Sequence, residues 1–288
     1  MDLNYKTSDK EDLYSFYAER KKLPYFGAHW HFHEELEILF TIKAEGLRIV
    51  GDNIDHFANN ELVLIGSDIP HLFKNDENKE TEPVDYIVIK FSSIFEKTDI
   101  FSLPEFYHIA RFLEISKRGI LFSKITTDKV MNKIIQLPES KGPKRIILLL
   151  SILSKLSKSD DYLLLSSDQF SMKTSVQNEG RIQNVIDYIG KNYTVNITLN
   201  DLADVAHMTT NSFCRYFKNR SGKTVFQFIR EYRINIACQM LINGKDKSIS
   251  DICYETGFNS FSTFNRIFKS LKNISASEYR SKYIELHK

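Results

Sequence analysis

At 288 residues the chain has room for one large domain or two ordinary ones. Its 42% hydrophobic and 26% charged residues describe a globular protein and exclude a collagen-like or disordered one. The net charge of +2 hides an asymmetry: from Arg181 onward there are 16 Lys and Arg against 9 Asp and Glu, a surplus of +7, whereas the first 180 residues hold 23 against 28, a deficit of −5. A basic part joined to an acidic one assigns any polyanion partner to the C-terminal part.

The opening "MDLNYKTSDKED" is polar and charged, with no apolar stretch of signal-peptide type. The first ninety residues read as β-structure. "ELEILFTI" (Glu35 to Ile42), "LRIV" (Leu47 to Val50), "ELVLIG" (Glu61 to Gly66) and "DYIVIKF" (Asp85 to Phe91) are short and rich in branched or aromatic residues, with turn signals "AEG" and "GDN" between them. Short strands at this spacing predict a sandwich or barrel. Within "HWHFHEELE", His31, His33 and Glu37 stand in H-x-H-x3-E spacing, and "IPHLFKN" adds His71. Strand alternation puts the first three on one face. The set resembles the cupin pattern, in which such residues converge on one metal inside a small β-barrel; imidazoles with a carboxylate suit zinc, iron or manganese.

From Ser92 to Leu165 the periodicity turns helical. "PKRIILLLSILSKLSK" opens with a proline suited to a first helical turn, and Ile146, Leu149, Leu150, Leu153 and Leu156 recur at three- and four-residue steps, widened by Ile147 and Leu148. That face either covers the sheet or pairs subunits. Its greasiest run, Arg145 to Leu153, is under half of the about 20 residues that span a bilayer. A polar linker, Ser166 to Gly180, follows.

The remainder repeats itself. "FCRYFK" (Phe213 to Lys218) returns as "FNRIFK" (Phe264 to Lys269). Before the first stand Leu199, Leu202, Ala203 and Ala206; before the second, Ile249, Ile252, Cys253 and Thr256. The offset is 50 residues ahead of an intervening turn and 51 after it. Each set predicts a short helix, a turn at His207 or Gly257, and a second helix burying two phenylalanines four residues apart. Asn200 or Thr198, Ser248, Thr209, and Asn259 or Ser260 are the candidate caps. The opposite face carries Asn211, Cys214 and Arg215 in one motif and Ser262, Asn265 and Arg266 in the other. In a helix-turn-helix this stripe enters the major groove, where arginine donates to guanine and asparagine pairs with adenine. The helix Thr224 to Asn243, with Val225, Phe228, Ile229, Tyr232, Ile236, Met240 and Leu241 as its contacts, is long enough to hold two reading helices (about 210–219 and 260–270) in successive grooves, about 34 Å apart.

Residues 181–288 resemble the DNA-binding domain of the AraC/XylS family of bacterial transcription regulators, most closely through "SISDICYETGFNSFSTFNRIFK". "SASEYR" departs from the family's usual threonine-proline, and Cys214 replaces a longer polar residue. The resemblance implies a seven-helix reader with two helix-turn-helix motifs and regulation of nearby promoters, often activation. The expected chain is therefore an α+β multidomain protein. A cupin-like effector-binding and dimerisation domain spans 1–165, with its helical part at about 92–165; a linker covers 166–180 and the AraC-type domain 181–288. In sensor domains of this kind the barrel generally binds a small effector without chemistry. His29, Trp30, His31, His33, Glu37, Arg48 and His71 are the candidate effector contacts; His29, Trp30 and Arg48 fit packing at the barrel mouth equally well. No cofactor is required, and a metal is the minority reading, held if at all by His31, His33, Glu37 and His71. Expected partners are double-stranded promoter DNA, the effector, RNA polymerase and a second copy bound through the N-terminal helices, with no membrane. Three cysteines without metal spacing fit a reducing cytoplasm. The competing reading is a cupin-type metal-dependent enzyme with a helical accessory domain.

Overall fold

A computed structural model of the chain describes residues 15–26, 30–75, 83–91, 100–168, 170, 179–243 and 247–285. The chain divides into two units, one of residues 1–53 and 57–170, the other of 54–56 and 171–288. Among the described residues no helix is long and apolar enough to cross a membrane.

The N-terminal unit is layered around a six-stranded sheet. Its strands run in the order β1 (Tyr17–Leu23), β7 (Val84–Phe91), β2 (Leu36–Lys43), β5 (Leu62–Ile65), β8 (Ile120–Phe122) and β9 (Tyr162–Leu164). A three-stranded sheet runs β4 (Asn53–Phe57), β3 (Gly46–Val50), β6 (His71–Lys74). Alternation explains why the central strands are apolar on both faces. Ile38, Phe40, Leu62, Leu64, Ile87 and Ile89 join the helices α1 (Tyr107–Ile115), α2 (Lys124–Gln136) and α3 (Pro143–Leu156) in one core. Their neighbours Leu39, Val63, Ile65 and Val88 pack with Val50, Phe57 and Phe73 of the small sheet in another.

Two expectations need correction here. The predicted barrel is not closed: the hydrogen-bonded ladders end at β1 and β9 in the large sheet and at β4 and β6 in the small one. The β1 edge, carrying Glu19, Arg20, Lys21 and Lys22, resists further pairing through its charges. On α3 the buried apolar residues are Leu148, Leu149, Ile152, Leu153 and Leu156, so the helix does cover the sheet, but Ile146 and Ile147 face outward. A run with no polar residue among Ile146–Leu150 gives periodicity nothing to fix the rotation; packing against the sheet does so.

From Glu179 onward the elements of the C-terminal unit are all helices: α4 (Glu179–Asn192), α5 (Leu199–Val205), α6 (Thr210–Ser221), α7 (Val225–Asn243), α8 (Ile249–Glu255), α9 (Phe261–Lys272) and α10 (Ala276–Glu285). With 19 residues, α7 is roughly 28 Å long. It turns one flank to the first motif, where Phe228 meets Phe217 edge-on at 5.3 Å. The other flank, Ile234, Ala237, Cys238 and Leu241, packs in the core of the second motif. Of the contacts that sequence periodicity assigns to this helix, Leu241 is buried in that core, Met240 packs half-buried against it and Ile236 is half-buried, whereas Ile234, Ala237 and Cys238 are not among them.

Caps fix where these short helices begin. Thr198 and Ser248 each form a capping box, with Asp201 and Asp251 reaching back to the cap's backbone N–H. A seven-residue helix has little cooperativity of its own, so Ser248→Ala is expected to cost about 1 kcal/mol, readable as a lower urea midpoint with an unchanged slope.

Candidate nucleic-acid interface

The two helix-turn-helix motifs close their turns with the same backbone hydrogen bonds, the second carrying one extra residue before its next helix. In the first, His207 N–H donates to Asp204 O at 2.9 Å and Met208 N–H to Ala203 O at 2.9 Å; in the second, Gly257 N–H donates to Tyr254 O at 3.0 Å and Phe258 N–H to Cys253 O at 3.2 Å. These bonds are the same Schellman closure, and it requires a left-handed residue at its hinge. His207 has φ 53° and Gly257 φ 84°. Thr209 and Ser260 then cap the next helix, each accepting from the backbone N–H three residues on. Both of those helices, α6 and α9, end in a left-handed residue, Gly222 and Asn273.

Burial sets how each second helix faces. Phe213 and Phe217 are fully buried with ring centroids 5.8 Å apart; Phe264 and Phe268 are fully buried at 5.6 Å. Ala203 and Cys253, small and buried, occupy equivalent places on α5 and α8. With the phenylalanines inward, Asn211, Cys214 and Arg215 are exposed on α6, and Ser262 and Arg266 on α9, while Asn265 is half-buried. Neither Arg215 nor Arg266 has a hydrogen bond or ion pair among the described residues. Lys218 and Lys269 add exposed positive charge in the last turn of each helix. This surface offers donors to an acceptor-rich ligand with a spacing that repeats.

Arg233 on α7 escaped the sequence reading. Its Nε donates to Tyr193 O at 2.7 Å and its Nη2 to Val195 O at 2.8 Å, and its guanidinium lies 5.9 Å from the Phe258 ring centroid. It ties the loop after α4 to the second motif, a structural duty that only the fold reveals.

In the N-terminal unit, His31, His33, Glu37 and His71 converge, and each offers a donor atom within 4.8 Å of the others. His31 and His71 are bridged by backbone bonds of 3.2 and 2.8 Å. Glu37 is register partner to Lys90, whose Nζ lies 3.1 Å from Glu37 Oε2; Lys90 is a further residue the sequence did not single out. Burial alone would push Glu37 upward, but the His33 hydrogen bond and the charges of Lys90 and the histidines hold its carboxyl well below the usual range. Burial, reinforced by His31 and His33 and opposed by Glu37, pushes His71 well below an ordinary imidazole. Trp30 is buried. Arg48, fully buried on β3, is ion-paired with Glu61. His29 lies outside the described residues.

Residues 202–282 match the family described as "Helix-turn-helix domain". The "Uncharacterized HTH-type transcriptional regulator YdeC" of Bacillus subtilis (strain 168) is 24% identical over 267 residues, 89% of this chain and 86% of that one. The "Lactose operon transcription activator" of Staphylococcus xylosus is 33% identical over 111 residues, covering 38% of this chain and 39% of that one. Among solved structures, a transcriptional regulator with an AraC-type DNA-binding domain from Chromobacterium violaceum is 23% identical with a TM-score of 0.35, over 38% of this chain and 96% of that one.

Proposed function

We propose that this chain, which belongs to the AraC/XylS family of DNA-binding transcription regulators, reads promoter DNA by placing α6 and α9 in two successive major grooves and answers to a small effector held in a cupin-like N-terminal unit. The carrying observation is the pair of matched helices, each pinned by two buried phenylalanines and each presenting an arginine with no partner among the described residues. A repeated structural bundle would not need its exposed stripe repeated as well. The relatives are regulators, which sets aside the reading as a metal-dependent enzyme. Activation is the direction this reading takes, supported by a Staphylococcus xylosus relative named as an activator; RNA polymerase would then be a further partner.

The test is fluorescence anisotropy of the full chain on duplexes from its neighbouring promoters and on scrambled duplexes, at one salt concentration. A preference of roughly 10³-fold or more is expected; equal affinity for both would remove specific reading.

Two chains pair, in this reading, through the N-terminal helices. On the outer side of α3 the adjacent Ile146 and Ile147 are 38% and 64% exposed and offer an apolar surface for the second copy. Ile147→Glu is expected to shift the chain from dimer to monomer in light scattering, with its melting temperature little changed.

A further inference from the structure

We infer that Phe261 reads a thymine methyl group in the half-site that α9 enters, a contact that marks this half-site off from the one read by α6. It presupposes the promoter reading above and adds an apolar base contact beside the polar stripe of Ser262, Asn265 and Arg266.

An apolar ring stands out of place on α9. Phe261 is the first residue of the helix and is 39% exposed, whereas Phe264 and Phe268 are fully buried. Those two already have their core partners: Phe258 is edge-on to Phe264 at 5.3 Å and Tyr279 edge-on to Phe268 at 5.6 Å. Phe261 lies at the margin of that packing, near-parallel to the Phe264 ring with centroids 6.3 Å apart and planes at 18°. Beneath it the Ser260 hydroxyl accepts from the Thr263 N–H at 3.4 Å, which fixes the first turn. A ring backed by Phe264 on a capped turn has little freedom left to lose on meeting a partner.

Position decides what that partner is. Side chains of a helix lean toward its N-terminus, and that end of a reading helix meets the base edges. Phe261 is next to Ser262 and one helical turn before Asn265, so it borders the reading stripe. The first turn carries no acidic residue to repel phosphate. Among the groups that base pairs present in the major groove, the thymine methyl is the apolar one, and phenylalanine is a side chain that meets it. A ring with neither donor nor acceptor gains nothing from the hydrogen-bonding edges. Phe261 and Arg266 are separated by about 7.5 Å along the helix axis. At roughly 3.4 Å per base pair, the thymine falls within about three pairs of the one that Arg266 selects.

The first motif lacks this ring. Thr210, 51 residues earlier, stands at the matching place and is half-buried. With an arginine common to both stripes, an apolar reader on one of them helps to tell the two half-sites apart.

The test begins with the wild-type full chain and a promoter duplex that it prefers over a scrambled one. Each thymine is replaced singly by deoxyuridine, which removes the methyl group and leaves base pairing and the O4 acceptor in place. Affinity is read by fluorescence anisotropy at one salt concentration. Burial of one methyl group corresponds to roughly a fourfold change in affinity. A loss of that size is expected at a single thymine or two adjacent ones, close to the position at which Arg266→Ala loses its preference. Phe261→Ala should bind the thymine duplex about fourfold more weakly or worse and lose nothing further to uracil. Phe261→Leu, which keeps an apolar side chain, should retain part of the methyl effect. Leu271→Ala, equally exposed at 39% but in the last turn of the same helix, should show the wild-type uracil profile. Three results would overturn the proposal and leave promoter reading intact: a flat uracil profile in the wild type, the same profile in Phe261→Ala, or a Phe261→Ala loss equal on promoter and scrambled duplexes, as a ring packed on deoxyribose gives. Equal affinity of the wild type for promoter and scrambled duplexes would instead remove both. The uracil profile of the wild type decides the matter even if a Phe261 variant folds poorly.

Discussion

Arg215→Ala and Arg266→Ala, made singly in the full chain, are each expected to erase about 1–3 kcal/mol of discrimination between a promoter duplex and a scrambled one, roughly a 5- to 150-fold loss of preference. Both side chains are exposed, and neither guanidinium has a hydrogen bond or ion pair among the described residues, so removal should leave stability within about 0.5 kcal/mol of wild type. That separation makes the experiment decisive: any loss of binding is loss of contact with DNA, not loss of fold. The two sites stand on different helices with no shared partner, so the double variant should lose the sum of the two. Lys218→Ala supplies the contrast. A last-turn lysine that meets phosphate weakens all duplexes alike and lowers the salt slope by about one. Should Arg215→Ala behave as Lys218→Ala does, the arginines are phosphate clamps and the bases are read elsewhere.

The reason this much can be predicted is that the motif is local. A Schellman turn, a cap and a phenylalanine pair are each written within a dozen residues, and the repeat checks each against its counterpart. His207 was matched to Gly257 by alignment alone, and both occupy the left-handed region. Non-local features were less legible. Lys90 lies beside Glu37 because β7 pairs with β2 in one register, and a shift by one residue would put it on the other face. The rotation of α3 failed for a related reason: where every residue is apolar, the choice of buried face belongs to the sheet beneath. Asn265 was read as exposed, yet it is half-buried, a one-residue uncertainty in how far a stripe wraps around a helix. Closure of a barrel depends on strand order across the whole unit, which four apolar segments do not encode. Arg233 serves two carbonyls some forty residues away in sequence, and nothing in its neighbourhood marks it.

Gly257→Ala is expected to destabilise the C-terminal unit by about 2–4 kcal/mol, and Gly180→Ala to stabilise it by up to about 1 kcal/mol, although the chemical change is identical. At Gly257 the backbone has φ +84°, and an added Cβ would lie 2.4 Å from Tyr193 O and 3.0 Å from both Thr194 O and Arg233 Nε. Two of those atoms are backbone and cannot turn away. The strained dihedral costs about 1–3 kcal/mol, and relieving the overlap costs more, because it pulls Tyr193 O from its 2.7 Å bond with Arg233. Gly180, by contrast, lies in α4 with nothing within 4 Å of its added Cβ, so alanine only narrows the unfolded ensemble. His207→Gly completes the set: it relieves a left-handed histidine at φ 53° in the first motif and should cost nothing or gain up to about 1 kcal/mol. For a unit of this size the Gly257 change should lower the melting temperature by roughly 10 °C. It should also disable the second motif, because the hinge that aims α9 is the bond network the methyl group disrupts. A Gly257→Ala chain that melts like the wild type, with full promoter affinity, would mean that the turn between α8 and α9 does not have the geometry on which the placement of Arg266 depends.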